Sequence, residues 1–503
     1  MTTAENAIKK VVIVGRDAAA WLTANAIMRA LGRTGVTVEV VELPSLLSFN
    51  DVYASLTALE AFHTLLGFPE GEVMKATAAT FSLGQSFANF SRTRPAFFVG
   101  YGEHGSAIDG RPFFQHWLKA RQAGLKVDLE DFSLNAAASK TGRFFVPDDT
   151  LNSFAKCNYA YHLRGQAYVA YLKAQALRRG VATRTARLFD ARLAPDGYVE
   201  ALLLSDGNEV SGDLFIDATG ADSLLLGAVL GVPVESWRRW FACNRTVTAS
   251  ADPLRSLPVY SQVRALKSGC LHLAPVQDMT SVVFAYDDRL IKDHEALQSA
   301  AVVSNLRLRD GAVLADLAPG RRVSAWDRNV IAVGEAACVF DPIDNVGLHA
   351  LQQGLAHLIT LFPLDVHAPW ERQEYNRNVR SHYERLRDFQ IVHYRLNQNV
   401  DDPFWDSCRS MALPDKLAYK IDLFAARGMV AMYDDETFEP DSWIASFVGH
   451  DLMPKTYDPL VDQADQDDTI TSFKSMLGFI REQVQEMSSH DAYLELHAAS
   501  AFT

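Results

Sequence analysis

Three places in the chain carry residue types suited to holding a nucleotide. The first is Gly15-Arg16-Asp17-Ala18-Ala19-Ala20, which ends the β-branched run Lys9 to Gly15. Beyond it, Ala18 to Leu31 has helical periodicity and Val36 to Glu42 again reads as a strand. This is a βαβ unit whose second strand ends in Glu42, roughly where a nucleotide-binding fold sets the carboxylate that holds a ribose hydroxyl. Any parallel βαβ unit with a surface glutamate gives the same pattern, so this unit alone leaves both readings open. The second place is Leu214 to Gly220, an apolar strand ending in Asp217, Thr219 and Gly220. The third is the strand Val330 to Val333, running into Gly334-Glu335-Ala336-Ala337. Open α/β sheets bind ligands beyond the carboxyl ends of their strands, so one crevice can collect all three.

The elements that must position these residues divide the chain. At 503 residues it exceeds what one core usually supports. Residues 1–365 read as a dinucleotide-binding-like α/β domain, with a second sheet inserted over about 230–290, where Thr246 to Ala249 and Thr280 to Ala285 have strand character. Residues 366–503 read as a helical region with breaks at Asp401 to Pro403 and Pro440 to Ser442, and with an acidic stretch from Asp462 to Asp468.

Composition narrows the partners. A formal net charge of −13 provides no excess of Lys and Arg for a nucleic acid or an anionic membrane. A small, neutral or cationic ligand is expected. Met1 to Lys10 lacks a secretory pattern, and no stretch reaches the ~18 apolar residues of a membrane span, which places the protein in the cytoplasm. Five cysteines, Cys157, Cys243, Cys270, Cys338 and Cys408, have neither zinc nor disulfide spacing, so no metal site is expected.

Five segments occur in an order that resembles the flavin-dependent tryptophan halogenase family, from about Lys9 to about Asp462. They are Tyr161-His162-Leu163, Gly269 to Pro275, Trp326 to Pro342, Arg387 to Tyr394 and Asp402-Pro403-Phe404-Trp405. The resemblance implies a Rossmann-like FAD-binding fold of the flavin monooxygenase type. It also implies that reduced FAD from a separate flavin reductase, with oxygen, oxidises halide to a hypohalous acid. That acid then travels to a lysine beside an aromatic, indole-like substrate, where a glutamate assists.

Set against that family, the chemical residues are altered. Of the Gly-x-Gly-x-x-Gly loop only Gly15 survives. Asp17 brings a carboxylate to the second glycine's place, and Ala20 is a tolerable third, with Trp21 matching the family's next residue. Two like charges about 4 Å apart repel by about 1 kcal/mol in water and by several at a protein surface, so weak FAD binding is expected. A second flavin segment corresponds to Phe49 to Ser55, also without glycines. The family lysine falls on Ser82, within Ala79 to Gly84, which has no basic nitrogen to carry an oxidant. The family's Glu and halide segment becomes Asp341 to Gly347: Asp344 keeps a carboxylate, Gly347 keeps bare backbone beside the flavin, and Val346 leaves a halide to the backbone amide alone. The Trp-x-Trp-x-Ile-Pro motif becomes Cys270 to Pro275, which places the titratable His272 near the flavin. A lone strand histidine is more often a satisfied structural residue.

By the resemblance, Asp344, Ser82 and His272 are the candidate catalytic residues. Gly15, Asp17, Ala20, Glu42, Asp217, Gly220, Gly334 and Gly347 are the candidate cofactor contacts. Three readings follow: an altered flavin enzyme, a silent aromatic-ligand-binding protein, and a halogenase with compensating residues. Loss of three separate devices disfavours the last. The oligomeric state stays open, a dimer being compatible.

Overall fold

Lys10–Gly15 (KVVIVG) alternates nothing and buries nearly everything, the mark of a central parallel strand covered on both faces. In the computed structural model, which describes residues 7–146, 157–399 and 402–500, it lies inside a six-stranded sheet. The order is Trp326–Asp327, Val330–Ala332, Leu214–Ala218, Lys10–Gly15, Thr37–Glu42, Ala182–Thr185. All neighbours run parallel except the edge pair Trp326–Asp327 with Val330–Ala332. Register sets Gly15 beside both Ala218 and Glu42, and Asp217 beside Ala332, so the carboxyl ends of four strands are level. Parallel strands need crossovers, and the helices Asp17–Leu31 and Gly165–Arg178 provide them, packed on one another through residues that include the wholly buried Trp21 and Leu172. This is the mixed α/β architecture that the patterning predicts.

That sheet belongs to a compact unit of residues 1–77, 163–238 and 317–384. A second unit comprises 78–162, 239–316 and 385–503. Its centre is a seven-stranded sheet ordered Val313–Asp316, Arg245–Ala251, Met279–Tyr286, Gly269–Val276, Ser261–Leu266, Gly84–Ala88, Ala96–Gly100. The strands expected within 230–290 are present, and pairing over long sequence distance joins Gly84–Ala88 and Ala96–Gly100 to them. One face carries Val247, Leu271, Leu273, Val282 and Phe284 against Ala296 and Ala300 of the helix Asp293–Ser304. On the other, Phe87 stacks on His393 with ring centroids 4.3 Å apart.

Local chemistry explains the helical starts of this unit. Asp402 accepts the Phe404 amide at 3.0 Å with Pro403 in the first turn, so the break expected at 401–403 is a helix cap, Asp401 itself lying outside the described residues. Pro440 likewise opens the helix Pro440–Gly449. Within the acidic stretch, Asp465 caps Gln466–Glu486 by accepting from Asp467 and Asp468 amides, and the carboxylates of the first turn suit the helix dipole. Among the described residues no helix is long and apolar enough to cross a membrane, no His, Cys, Asp or Glu group could hold a metal, and all five cysteines are buried thiols outside any disulfide.

Buried histidines make the fold sensitive to acid. Burial pushes His63 and His490 down to about 4. His162, His272 and His349 fall to about 3, again through burial first and then through neighbouring imidazoles. These rings are neutral when folded and take a proton when unfolded below the ordinary value near 6.5, so their stabilisation is complete above that pH and is lost as pH falls toward 4. Each contributes ~1.4 kcal/mol per pH unit in that window. The urea midpoint should therefore drop steadily from pH 6.5 to 5, with net proton uptake on unfolding measured by calorimetry in two buffers. A flat midpoint over this range would contradict the neutral assignment.

Candidate functional site

At the level strand ends of the first unit, each candidate cofactor residue has a definite environment. Gly15 is required by packing: a Cβ there would lie 2.4 Å from the Ala218 carbonyl oxygen. The chain then turns, the Arg16 amide donating to Ala218 at 3.1 Å, and the helix begins at Asp17. Asp17 has φ +56°, the left-handed region where a glycine is favoured and an aspartate is among the better tolerated substitutes. Its carboxylate turns toward the next loop and accepts from the Ser45 hydroxyl and, at 3.2 Å, from the Leu46 amide. Ala20 is wholly buried and its amide reaches the Arg16 carbonyl at 3.3 Å.

Glu42, at the end of its strand beside Gly15, accepts Lys173 Nζ at 2.6 Å and lies 3.4 Å from the Thr185 hydroxyl. Asp217 is buried and accepts five donors: the Thr219 amide and hydroxyl, the Ser223 hydroxyl, and the Leu225 and Leu226 amides. It serves the crevice by shaping the loop that carries Gly220, at φ +82°. Gly334, at φ +60°, comes against the first turn of the helix: a Cβ on it would be 3.2 Å from that of Ala19. Gly347 opens the helix Gly347–Thr360 and has nothing within 4 Å of its would-be Cβ. Asp344 is buried at φ +66° in the turn Ile343–Asn345 just before that helix.

Sequence reasoning did not count three further groups as contacts. Asp51 accepts the Ser48 amide and hydroxyl, both at 2.7 Å. Burial, followed by Asp17, pushes its carboxyl up. Glu335 presents open surface yet is hemmed in by protein, the situation of a group on the wall of a deep cleft. Desolvation first, then Asp17 and Asp51, raise its carboxyl as well. Tyr53 is raised by burial and by these same carboxylates, while the Ala18 amide is directed to its hydroxyl. Their signal was present as acidic and phenolic residues in segments already singled out, but their convergence was not.

The remaining candidates lie in the second unit. Ser82 ends the strand Thr80–Ser82, paired with Ala160–His162, and its hydroxyl donates to the Gly84 carbonyl at 3.1 Å. His272 lies mid-strand between Val263 and Val283. Its Nε2 is buried with no partner among the described residues. Burial, then His393, hold this ring near 3, so it does not exchange a proton at neutral pH as a general base must.

Against known proteins, residues 10–466 match the tryptophan halogenase family. The chain belongs to that family. It is 25% identical to tryptophan 6-halogenase SttH of Streptomyces toxytricini, over 94% of this chain and 95% of that one. Among solved structures it is similar to BrvH, a flavin-dependent halogenase from Brevundimonas sp. BAL3, with 32% identity, TM-score 0.93, and 97% and 99% of the two chains covered. Xcc4156, a flavin-dependent halogenase from Xanthomonas campestris, gives 28% identity, TM-score 0.93 and 98% of each. The Rossmann-like fold is thus that of a flavin-dependent halogenase.

For this halogenase-family chain, FAD is the implied cofactor, and the residues fit it unevenly. Gly220 and Gly347 leave open space beside their backbone, whereas Gly15 and Gly334 are closed by Ala218 and Ala19. The pyrophosphate position does not fit, because Asp17, Asp51 and Glu335 act electrostatically on one another there. Arg16 alone in the turn offers a positive charge, with a buried Nε that lacks a partner and a terminal nitrogen 4.0 Å from Asp222.

The loop network gives a direct test. Asp217→Ala strips an acceptor from five donors, so unfolding free energy should fall by about 3 kcal/mol or more, and Asp217→Asn by less. Urea titration measures both, and an unchanged Asp217→Ala would show the network to be inert.

Proposed function

We propose that this chain binds an indole-like aromatic small molecule within a flavin-halogenase scaffold, holds FAD weakly, and does not halogenate free tryptophan. The observation carrying this is Ser82 at the position of the family lysine, with its hydroxyl donating to the Gly84 carbonyl. A serine has no amine to hold or react with a hypohalous acid, and this one has no free donor to direct at it. Support for the aromatic ligand comes from the relatives, whose names describe enzymes acting on tryptophan, and from Asp344, which keeps a carboxylate in the family's Glu segment. Weak FAD binding is supported by the carboxylate at Asp17. A separate reductase would supply reduced flavin, as in the family, and a halide would rest on the backbone after Val346.

Supplied with reductase, FAD, oxygen and bromide, the protein should yield no monobrominated tryptophan by mass spectrometry beyond a catalase-sensitive background. Regioselective product that survives catalase would overturn the assignment of Ser82.

The ligand itself is tested by calorimetry against a panel of indoles bearing a hydrogen-bond donor or a positive charge. One of them should bind, and Asp344→Ala should weaken it by about 1 to 3 kcal/mol through loss of a charge-assisted hydrogen bond. Absence of heat across the panel, with no thermal protection, would retire the aromatic-ligand reading.

A further inference from the structure

Three loops bring negative charge to the place where a dinucleotide fold receives its pyrophosphate. The turn after Lys10–Gly15 carries Asp17, the segment after Thr37–Glu42 carries Asp51 and Tyr53, and the turn after Val330–Ala332 carries Glu335. They are close: Gly334 packs on Ala19, the Glu335 carboxylate comes 4.0 Å from the would-be Cβ of Gly220, Asp17 acts on Asp51, both act on Glu335, and all three act on Tyr53. Arg164 precedes the Gly165 amide that donates to the Asp51 carbonyl, and two further cations are turned elsewhere. Arg16 leans toward Asp222, itself 63% exposed, and Lys173 is engaged by Glu42. The helix N-terminus would ordinarily attract phosphate, but its Ala18 amide is directed at the Tyr53 hydroxyl.

We propose that this crevice selects against the diphosphate of FAD, so that riboflavin, which has the same isoalloxazine and no phosphate, binds at least as tightly as FAD. The proposal rests on the flavin reading above and deepens it. In a glycine-lined loop the order is reversed, because the pyrophosphate there gains hydrogen bonds from the helix start and meets no carboxylate. Lower pH should relieve the bias. Glu335 and Asp51 take up protons more readily than ordinary carboxyls, and each proton gained removes one repulsion toward the phosphates.

Titration of the full chain with riboflavin, FMN and FAD, followed by flavin fluorescence, decides it. At pH 8 and low salt, FAD should bind no more tightly than riboflavin. Raising sodium chloride from about 20 to about 500 mM should tighten FAD several-fold and leave riboflavin unchanged. Lowering pH toward the carboxylate range should act in the same direction on FAD alone. Glu335→Gln, and separately Asp17→Gly, should each tighten FAD by about tenfold relative to riboflavin. The salt and pH arms use the unaltered protein, so a variant that fails to fold does not remove the test. FAD binding tighter than riboflavin by about tenfold at every salt concentration would overturn the selection while leaving the flavin reading in place. Failure of all three flavins to bind would overturn both.

Discussion

Two backbones meet at Gly15 and Ala218 more closely than any side chain on residue 15 permits, a Cβ there falling 2.4 Å from the neighbouring carbonyl oxygen. Much else in the first unit depends on this contact. It lets the Arg16 amide bond to Ala218, which turns the chain into the helix at Asp17. It also keeps the strand ends level, so that the loops bearing Gly220, Gly334 and Glu42 open on one crevice. The chain keeps this turn without further glycines in the loop, because Asp17 tolerates the left-handed backbone and a methyl at Ala20 still packs.

The polar groups of this frame are unequally committed. Asp217 satisfies five donors in its own loop and Glu42 is held by Lys173, so both carboxylates act as structural fasteners before any ligand arrives. Asp17, Asp51 and Glu335 instead leave charge facing one another, with hydrogen bonds that only partly offset it. Burying like charges together is destabilising unless a counter-charge or proton intervenes. Such an arrangement persists in a stable fold only where it costs little or where a ligand of suitable charge relieves it.

In the second unit, stability and chemistry separate differently. Its sheet is anchored by the apolar face against Asp293–Ser304, leaving the opposite face free to carry Phe87, His272 and the histidines packed on them. Burial holds the His272 and His450 rings below the ordinary imidazole range. They give a rigid aromatic and hydrogen-bonding surface without the mobile protons that a titratable catalyst would supply.

From the sequence alone came the βαβ start, the strands at Leu214–Ala218 and Val330–Ala332 and the family, because each is written in local periodicity or in a contiguous motif. Much of the architecture was therefore legible in the sequence, including the level strand ends. Only the tertiary structure assigned partners. Glu42 meets a lysine 131 residues away, and Asp51 and Glu335 join Asp17 from distant loops. Likewise His272 loses its titration to burial that no strand pattern reveals. The reason is physical: periodicity reports which face of an element is buried, whereas charge pairing and desolvation depend on what long-range folding brings opposite that face.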